Sequence, residues 1–261
     1  MLVSGRTDTG RVRTNNEDAF AIDTQLQTLV LADGMGGLNA GEHASSESVR
    51  ALLHSLRGEL RVSEESFRHA FDVANRRVFT LSCERPELAN MGTTLVVWTF
   101  LPGESLQDND PNRGEQCLIG NIGDSRAYRF RGGKLEQLTR DHSVVQQLVD
   151  EGLLDEEEAR TAPNRNIITR AIGIEIEAKC VVTQHDVEAY DLYILCSDGL
   201  SDMLSDAEIS AIVENNVEKN IDRNAETKQR SLDDLADALI AAANNAGGFD
   251  NITVVVHQCT P

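Results

Sequence analysis

Three aspartates stand beside apolar runs of the kind that form buried strands. Asp33 ends the run in LVLADGMGG, Asp198 follows the one in LYILCSDGL, and Asp250 precedes the one in GGFDNITVVV. An acid at the end of a strand holds its carboxylate at the edge of a rigid sheet, so three of them can converge on one hard cation. Turn chemistry explains a single Asp-Gly pair but explains three such acids less well. Oxygen-only ligands indicate Mg²⁺ or Mn²⁺, because no cluster of histidines or thiolates points to zinc.

Three further segments carry groups that suit a cation or a phosphate. Gly34 lies in the glycine-rich segment after the first aspartate, where a backbone carbonyl can approach a cation. Arg13 suits a bidentate grip on phosphate, and the carboxylates of Glu17 and Asp18 could orient water around a metal ion. A solvated surface ion pair is the alternative for that segment. Asp124 lies in the turn sequence GDSR, where the alternative is an ordinary hairpin loop.

The elements that must position these groups alternate between strands and helices. Apolar stripes at helical spacing cover 49–60 and 67–81, and Gly58 separates them, which predicts two helices packed as an antiparallel pair. Consecutive strand-like segments joined by short turns predict antiparallel strands, with Gly132-Gly133 as a hairpin turn. The predicted strands are 27–32, 93–101, 117–123, 126–131, 134–138, 192–196 and 252–257. A polar segment, 102–115, is predicted to be an exposed loop.

The second half of the chain predicts a flap and two more helices. Segment 144–160 has a helical pattern and 162–173 is irregular, so together they could form a mobile flap. A helix over 205–215 begins with Ser205 and Glu208 at capping-box spacing. The polar stretch 214–230 is predicted to be a surface excursion. Another helical stripe follows, through Leu232, Leu235, Leu239 and Ile240.

Length, charge and cysteine content limit the class of protein. With 261 residues, 40% of them hydrophobic, the chain can bury a full core, and one domain over 1–261 is expected. No apolar run approaches the roughly 20 residues that cross a bilayer, so a soluble cytoplasmic protein is expected. The five scattered cysteines indicate reduced core thiols. A net charge of −19 repels a polyphosphate backbone, which argues against nucleic acid as a partner.

The motifs, in their order along the chain, resemble those of the metal-dependent protein phosphatases known as PP2C or PPM, particularly the compact bacterial serine/threonine phosphatases. The resemblance implies an α+β fold: a four-layer α-β-β-α sandwich of two mostly antiparallel β-sheets flanked by helix pairs, with a flap at about 143–172. The matching segments are TDTGRVRTNNED (7–18), VLADGMGG (30–37), MGTTL (91–95), GDSRAYR (123–129), LTRDHS (138–143), LCSDGL (195–200) and GGFDNITVVV (247–256).

The resemblance also implies a set of metal ligands for two Mn²⁺ or Mg²⁺ ions per chain. By this analogy Asp33 bridges both ions, while Asp198 and Asp250 complete the first site. The Gly34 carbonyl serves the second site. Asp124 matches an acid that helps to hold a third, weaker ion in bacterial members.

The reaction implied by the resemblance is hydrolysis of phosphoserine or phosphothreonine in proteins by a metal-activated water, without a covalent intermediate. Arg13 matches the phosphate-binding arginine, and Glu17 and Asp18 would act largely through water. Met35 and Leu38 stand where relatives carry a histidine, so water held by the cations is the expected proton donor. A lone histidine at a helix start, His43, is more often a surface residue. Ala162 stands where bacterial flaps often have a histidine, and His142 is expected to bond backbone at the base of the flap.

Two other functions remain open at this point. Because the histidines are missing, the chain could be a catalytically impaired regulatory module that binds phosphoproteins, although intact Asp33, Asp198, Asp250 and Arg13 argue against loss of catalysis. A phosphatase for a small molecule is the other. The partners expected for the enzyme are phosphorylated proteins, possible substrates of a cognate serine/threonine kinase, and a monomer that binds no membrane is expected.

Overall fold

The computed structural model describes residues 1–36, 40–101, 114–217 and 225–260. Most of the predicted loop 102–115, and also Leu38, lie outside these residues. In the described ranges the strands are β1 Leu2–Asp8, β2 Asp18–Asp23, β3 Thr28–Met35, β4 Gly92–Thr93, β5 Leu95–Leu101, β6 Gln116–Ile122, β7 Arg126–Arg131, β8 Lys134–Gln137, β9 Val181–Asp186, β10 Leu192–Cys196 and β11 Ile252–Gln258. The helices are α1 Ala40–Arg57, α2 Glu64–Glu84, α3 Val144–Asp150, α4 Glu156–Thr161, α5 Asp198–Ser201, α6 Asp206–Val217 and α7 Ala225–Asn245.

The strands form two sheets that face each other. One has the strand order β1-β11-β10-β7-β8, and the other has the order β2-β3-β5-β6-β9, with β4 paired to the end of β3. Every strand pair in the described ranges is antiparallel, as the short turns predicted. Between the sheets lies an apolar layer that includes Leu29, Leu31, Val96, Trp98, Ile119, Tyr193, Leu195 and Val255.

A helix layer covers the outer face of each sheet. Because successive side chains of a strand point to opposite faces, Val30 and Ala32 of β3 face α1 and α2 while Leu29 and Leu31 face the other sheet. The helices α5, α6 and α7 pack in the same way on β10 and β11. The strands read as continuous apolar runs because both faces are buried. The predicted four-layer α-β-β-α sandwich of the α+β class is therefore confirmed.

Helix boundaries differ from the predictions at three places. Leu60 lies beyond the end of α1 and is exposed, so the first apolar stripe stops one turn earlier than predicted. Segment 144–160 forms two short helices instead of one, because Gly152 adopts a φ of +71° between them. The last residues of the polar stretch 214–230 already belong to α7. The capping box of α6 is present, since Glu208 N–H donates to Ser205 Oγ at 3.3 Å and Ser205 N–H donates to Glu208 Oε2 at 2.8 Å.

The segment 143–172, which contains α3 and α4, is closed at its base. Ser143 pairs with Ile168 in an isolated antiparallel bridge, and Ile172 pairs with Thr93 in another. His142 C=O also accepts the N–H of Thr169 at 2.7 Å. The C-terminal end of the segment is thus tied both to its own start and to β4. No helix in the described ranges has the length and apolar composition that a bilayer span needs.

Candidate metal centre

The predicted acids meet at one end of the sandwich. Asp18 on β2 and Asp33 on β3 are direct partners across the strands. Asp198 follows β10 and Asp250 precedes β11, and these two strands pair with Cys196 opposite Val254, so both acids lie at the same edge. The carboxylate of Asp33 interacts with those of Asp18 and Asp198. The charges of Asp124 and Asp250 also act on the carboxylate of Asp198. We call these five residues the carboxylate cluster.

The position of Asp33 corrects one prediction about the strand that carries it. We expected the strand to end at Ala32, with Asp33 in a turn beyond it. Instead β3 continues to Met35, because β4 pairs alongside it with Gly34 opposite Thr93. Asp33 therefore lies within a sheet, where hydrogen bonds on both sides fix its backbone.

Close packing fixes the next residue, Gly34. Its N–H donates to the carbonyl of Glu17 at 3.1 Å. A Cβ at this position would lie 2.2 Å from the carbonyl oxygen of Gly41 at the start of α1, so only glycine fits. The fold thus holds the Gly34 peptide beside Asp33, where the resemblance places a carbonyl ligand.

Two carboxylate oxygens of the cluster are buried without a hydrogen-bond partner. Asp18 Oδ2 accepts from Thr253 Oγ1 at 2.6 Å and from Ser197 Oγ at 2.8 Å, whereas Asp18 Oδ1 has no partner. Asp198 Oδ1 has none either. An unpaired buried anionic oxygen is costly, and a hard cation is the ligand that would satisfy it. The residues present therefore fit Mn²⁺ or Mg²⁺.

The pKa values of the cluster also show that its ionised carboxylates are unfavourable without a cation. Burial and the neighbouring charge of Asp18 raise the pKa of Asp33 well above its usual range, and burial and the charge of Asp124 do the same for Asp198. Burial raises the pKa of Asp18 to about 6, and burial together with the charge of Asp141 raises that of Asp124 to about 7. A bound divalent cation would reverse these shifts, because it favours the ionised carboxylates.

The cluster is not a closed protein cage. Within residues 1–36, 40–101, 114–217 and 225–260, no group of three or more His, Cys, Asp or Glu side chains has the arrangement needed to hold a metal ion by itself. Mg²⁺ commonly keeps several water ligands and uses only one or two carboxylates. The arrangement therefore suits hydrated ions that share a few carboxylates.

Arg13 is paired with one of the cluster acids. Its Nη2 donates to Asp250 Oδ2 at 2.7 Å, and the Arg13 side chain remains about half exposed at 51%. Arg13 therefore does form a partly exposed ion pair, but its partner is an acid of the cluster and not Glu17 or Asp18 of its own segment. The guanidinium lies at the solvent side of the cluster.

One positioning residue, Asn251, had no role in the sequence analysis. Its Oδ1 accepts the N–H of Glu17 at 2.8 Å, and its Nδ2 donates to the carbonyls of Asn15 at 2.9 Å and Thr9 at 3.0 Å. The loop that carries Arg13 and Glu17 is thus fastened to the residue after Asp250. The only sequence signal for this role was its place inside the segment GGFDNITVVV.

Asp124 sits in a turn held from the flap side. His142 Nδ1 accepts the N–H of Gly123 at 3.1 Å, and the His142 N–H donates to the Gly123 carbonyl at 2.9 Å. Burial and the charge of Arg170 lower the pKa of His142 to about 4, so it is neutral at pH 7. His142 therefore bonds backbone at the base of the flap, as expected.

The positions that relatives fill with histidine supply no acid here. Met35 packs beside Ile174 over Gly92, where an added Cβ would lie 2.7 Å from Met35 Cε and 2.9 Å from Ile174 Cδ1. His43 lies on α1 and is exposed. Neither side chain forms a hydrogen bond to the carboxylate cluster in the described part of the chain.

A cavity of about 670 Å³ adjoins the cluster on the flap side. Asp124 and Asp198 line it together with residues of α3, α4 and the start of α6. Asp202, which the sequence analysis did not single out, also lines the cavity, and Arg165 of the flap donates to its Oδ2 at 3.4 Å. The spacing of four residues between Asp198 and Asp202, one helical turn, was the signal that could have found it.

We expect the Tm of the metal-free protein to fall as the pH rises from about 6.5 to about 8. A carboxyl whose pKa is raised in the folded state favours folding when protonated, so ionising Asp33, Asp124 and Asp198 destabilises the fold. Below about pH 6.5 the lowered pKa values of His142 and His257 act in the opposite direction. Calorimetry in a chelator measures the decline, and saturating Mn²⁺ should remove it. A Tm that rises over this range would contradict the expectation.

Proteins similar to this chain are serine/threonine phosphatases. The chain is 34% identical over 264 residues to the serine/threonine phosphatase stp of Listeria welshimeri. The matched region covers 98% of this chain and 95% of that protein. It is 38% identical over 261 residues to the serine/threonine protein phosphatase PstP of Mycobacterium tuberculosis. The matched region covers 98% of this chain but 44% of PstP. This chain therefore spans less than half the length of PstP.

A solved structure and a family model agree with these relatives. The crystal structure of the catalytic domain of PstP in complex with two manganese ions matches with a TM-score of 0.81 and 35% identity, covering 99% of this chain and 98% of that chain. The family model for protein phosphatase 2C matches residues 9–239. The chain therefore belongs to the protein phosphatase 2C family.

Proposed function

We propose that the carboxylate cluster is the catalytic centre of a phosphatase that hydrolyses phosphoserine and phosphothreonine in proteins, with Mn²⁺ or Mg²⁺ as cofactor. The observation that carries the proposal is the pair of buried, unpartnered oxygens, Asp18 Oδ1 and Asp198 Oδ1, beside a half-exposed arginine. Without a cation, the clustered buried carboxylates would destabilise the fold. With cations bound beside Arg13, the centre has the positive charge that binds a phosphate ester.

Four aspartates and one backbone carbonyl would bind the cations. Asp33, Asp198 and Asp250 would hold two ions together with the Gly34 carbonyl, and Asp124 would contribute to a third. When bound, such ions would lower the pKa of a coordinated water towards neutrality and so would supply the nucleophile.

Other side chains orient these ligands and the substrate. Ser197 and Thr253 hold Asp18 Oδ2, so that Asp18 Oδ1 remains directed into the cluster. Glu17 is held through its N–H by Asn251, at the entrance to the cluster. Arg13 would bind the equatorial oxygens of the phosphate group and stabilise their charge in the transition state. Because Met35 cannot donate a proton, the departing alkoxide takes its proton from water.

The serine hydroxyls next to the cluster do not support a covalent mechanism. Ser197 is fully buried and its hydroxyl already donates to Asp18, so it cannot reach a substrate. Ser143 caps α3 by accepting the N–H of Gln146 at 3.2 Å. Direct attack by water remains the mechanism that the residues support.

We also propose the substrates, the cellular location and the assembly state of the enzyme. The substrates would be proteins phosphorylated by a cognate serine/threonine kinase, and the segment 143–172 would act as a flap over the 670 Å³ cavity. We place the protein in the cytoplasm as a single-domain monomer, and its five free cysteines fit a reducing compartment. The charge of −19 makes nucleic acid an unsuitable partner. The regulatory-module alternative is not favoured, since the relatives are phosphatases.

A comparison of substrate classes tests this function. The wild-type chain with Mn²⁺ is assayed on a phosphothreonine peptide, a phosphoserine peptide and a panel of phosphorylated metabolites. We expect kcat/KM for the peptides to exceed that for the metabolites by about 10²-fold or more, because a peptide makes additional contacts along the cavity. A metabolite that is turned over more efficiently than either peptide would contradict the proposal and favour a small-molecule phosphatase.

A further inference from the structure

The hydroxyl of Thr94 bonds to Asp33 of the carboxylate cluster and to Ser125, the residue next to Asp124. Thr94 directly precedes β5 and is 4% exposed. Its Oγ1 accepts the backbone N–H of Asp33 at 2.9 Å and also shares a hydrogen bond of 2.7 Å with Ser125 Oγ. Ser125, which is completely buried, follows Asp124 in the chain. One side chain therefore connects the strand of Asp33 to the turn of Asp124.

Further hydrogen bonds from the same threonine pair fix Asp33. The carbonyl of Asp33 accepts from the N–H of Thr94 at 2.9 Å and from Thr93 Oγ1 at 2.8 Å. Both polar groups of the Asp33 backbone are thus satisfied by Thr93 and Thr94. The direction in which the Asp33 carboxylate leaves the sheet depends on this pair.

The turn that carries Asp124 rests directly on the Thr94 side chain. Gly123 adopts a φ of +104°, and a Cβ at this glycine would lie 2.6 Å from Thr94 Cγ2. The methyl group of Thr94 therefore fills the space under the turn while its hydroxyl bonds Ser125. Since His142 holds Gly123 from the flap side, the turn is clamped between the flap base and Thr94.

We propose that Thr94 is a positioning residue that sets the separation of Asp33 and Asp124, with Ser125 as its partner. The inference rests on the proposed function and deepens it, because it names the link through which cation binding at one carboxylate is coupled to binding at the other. Rigid support of this kind from outside the ligand set typically changes metal affinity by 10–100-fold when it is removed.

The same strands contain a matched control for a merely structural role. Thr28 and Thr99 share a hydroxyl–hydroxyl hydrogen bond of 2.7 Å, and both are completely buried. This pair joins β3 to β5, as Thr94 does, but lies at the opposite end of β3 from Asp33. Thr99→Val therefore removes an equivalent buried hydroxyl without touching the cluster.

The test compares Thr94→Val, Thr94→Ser and Thr99→Val in the full chain. Calorimetric titration with Mn²⁺ gives metal affinity, and turnover of a phosphothreonine peptide gives kcat and KM separately. We expect Thr94→Val to bind Mn²⁺ at least about tenfold more weakly and to lose kcat with little change in KM. Thr94→Ser keeps the hydroxyl and should stay within about threefold of wild type. Thr99→Val should lower Tm by a similar amount while its Mn²⁺ affinity stays unchanged.

Ser125→Ala keeps the inference testable if Thr94→Val fails to fold. It removes the other half of the pair, so we expect Mn²⁺ binding to weaken by about tenfold, and the double variant Thr94→Ser/Ser125→Ala to be no worse than Ser125→Ala alone. Wild-type Mn²⁺ affinity in Ser125→Ala or in a folded Thr94→Val would overturn the inference, as would equal weakening by Thr99→Val. A wild type that neither binds Mn²⁺ nor hydrolyses the peptide would instead overturn the proposed function, and the inference with it.

Discussion

Asp198→Asn is expected to lower Mn²⁺-dependent phosphate release by about 10³-fold while raising the Tm of the metal-free protein. The loss of activity follows because a neutral amide is a poor ligand for a hard cation. The gain in stability follows from the raised pKa of Asp198: above the ordinary pKa, folding must either protonate this carboxyl or bury its charge, and asparagine avoids both costs. The amide can also donate a hydrogen bond to the neighbouring Asp33.

The size of the stability gain can be bounded. Relieving a buried, unpartnered charged group is worth about 1–3 kcal/mol, and each kcal/mol shifts the Tm of a chain of this size by about 2–4 °C. Scanning calorimetry in a chelator at pH 7.5 measures it. Asp237→Asn is the matched control, since Asp237 is an exposed acid on α7 paired with Arg6, and it should change neither property. An Asp198→Asn protein that melts lower than wild type without metal would contradict this explanation.

Arg13→Ala should lower kcat/KM for a phosphothreonine peptide by about 10²–10³-fold without weakening Mn²⁺ binding. The guanidinium stabilises the phosphate charge, so its removal costs transition-state binding. Its other partner is Asp250, at 2.7 Å, and an unpaired Asp250 carboxylate attracts a cation at least as strongly as a paired one. Steady-state kinetics and Mn²⁺ titration together separate the two effects.

The neighbouring arginine supplies the control for this variant. Arg11 lies on the same loop, but its guanidinium donates to the amide oxygen of Asn245 at 3.1 Å and not to an acid of the cluster. Arg11→Ala should therefore keep kcat/KM within about threefold of wild type, as exposed contacts usually do. Weaker Mn²⁺ binding in Arg13→Ala would show that Arg13 supports the cations instead of the phosphate.

The parts of the centre that the sequence predicted are those encoded by local pattern. Asp198 and Asp250 each border a continuous apolar run that identifies a buried strand, so their position at a sheet edge follows from a few neighbouring residues. The two helical stripes that cover the second sheet were recognised for the same reason. Leu60 was misplaced because an apolar residue at helical spacing carries no signal that the helix has already ended.

The parts that the sequence did not predict depend on contacts between distant segments. Asp33 lies within a strand because Thr93, 60 residues later, pairs with Gly34. The ion pair between Arg13 and Asp250 joins residues at opposite ends of the chain. Thr94 stood in the MGTTL segment, but only the fold brings its hydroxyl to Ser125. Such pairings have no local period, so one sequence without the fold does not reveal them.

The carboxylate cluster, loaded with divalent cations, is expected to release phosphate from phosphoproteins. The most direct test measures phosphate release from a phosphothreonine protein by wild type and Asp33→Asn, each with Mn²⁺ and with a chelator. We predict release by wild type with Mn²⁺ alone, and a loss of about 10³-fold in Asp33→Asn at any Mn²⁺ concentration. Undiminished release in the chelator, or by Asp33→Asn, would contradict the claim.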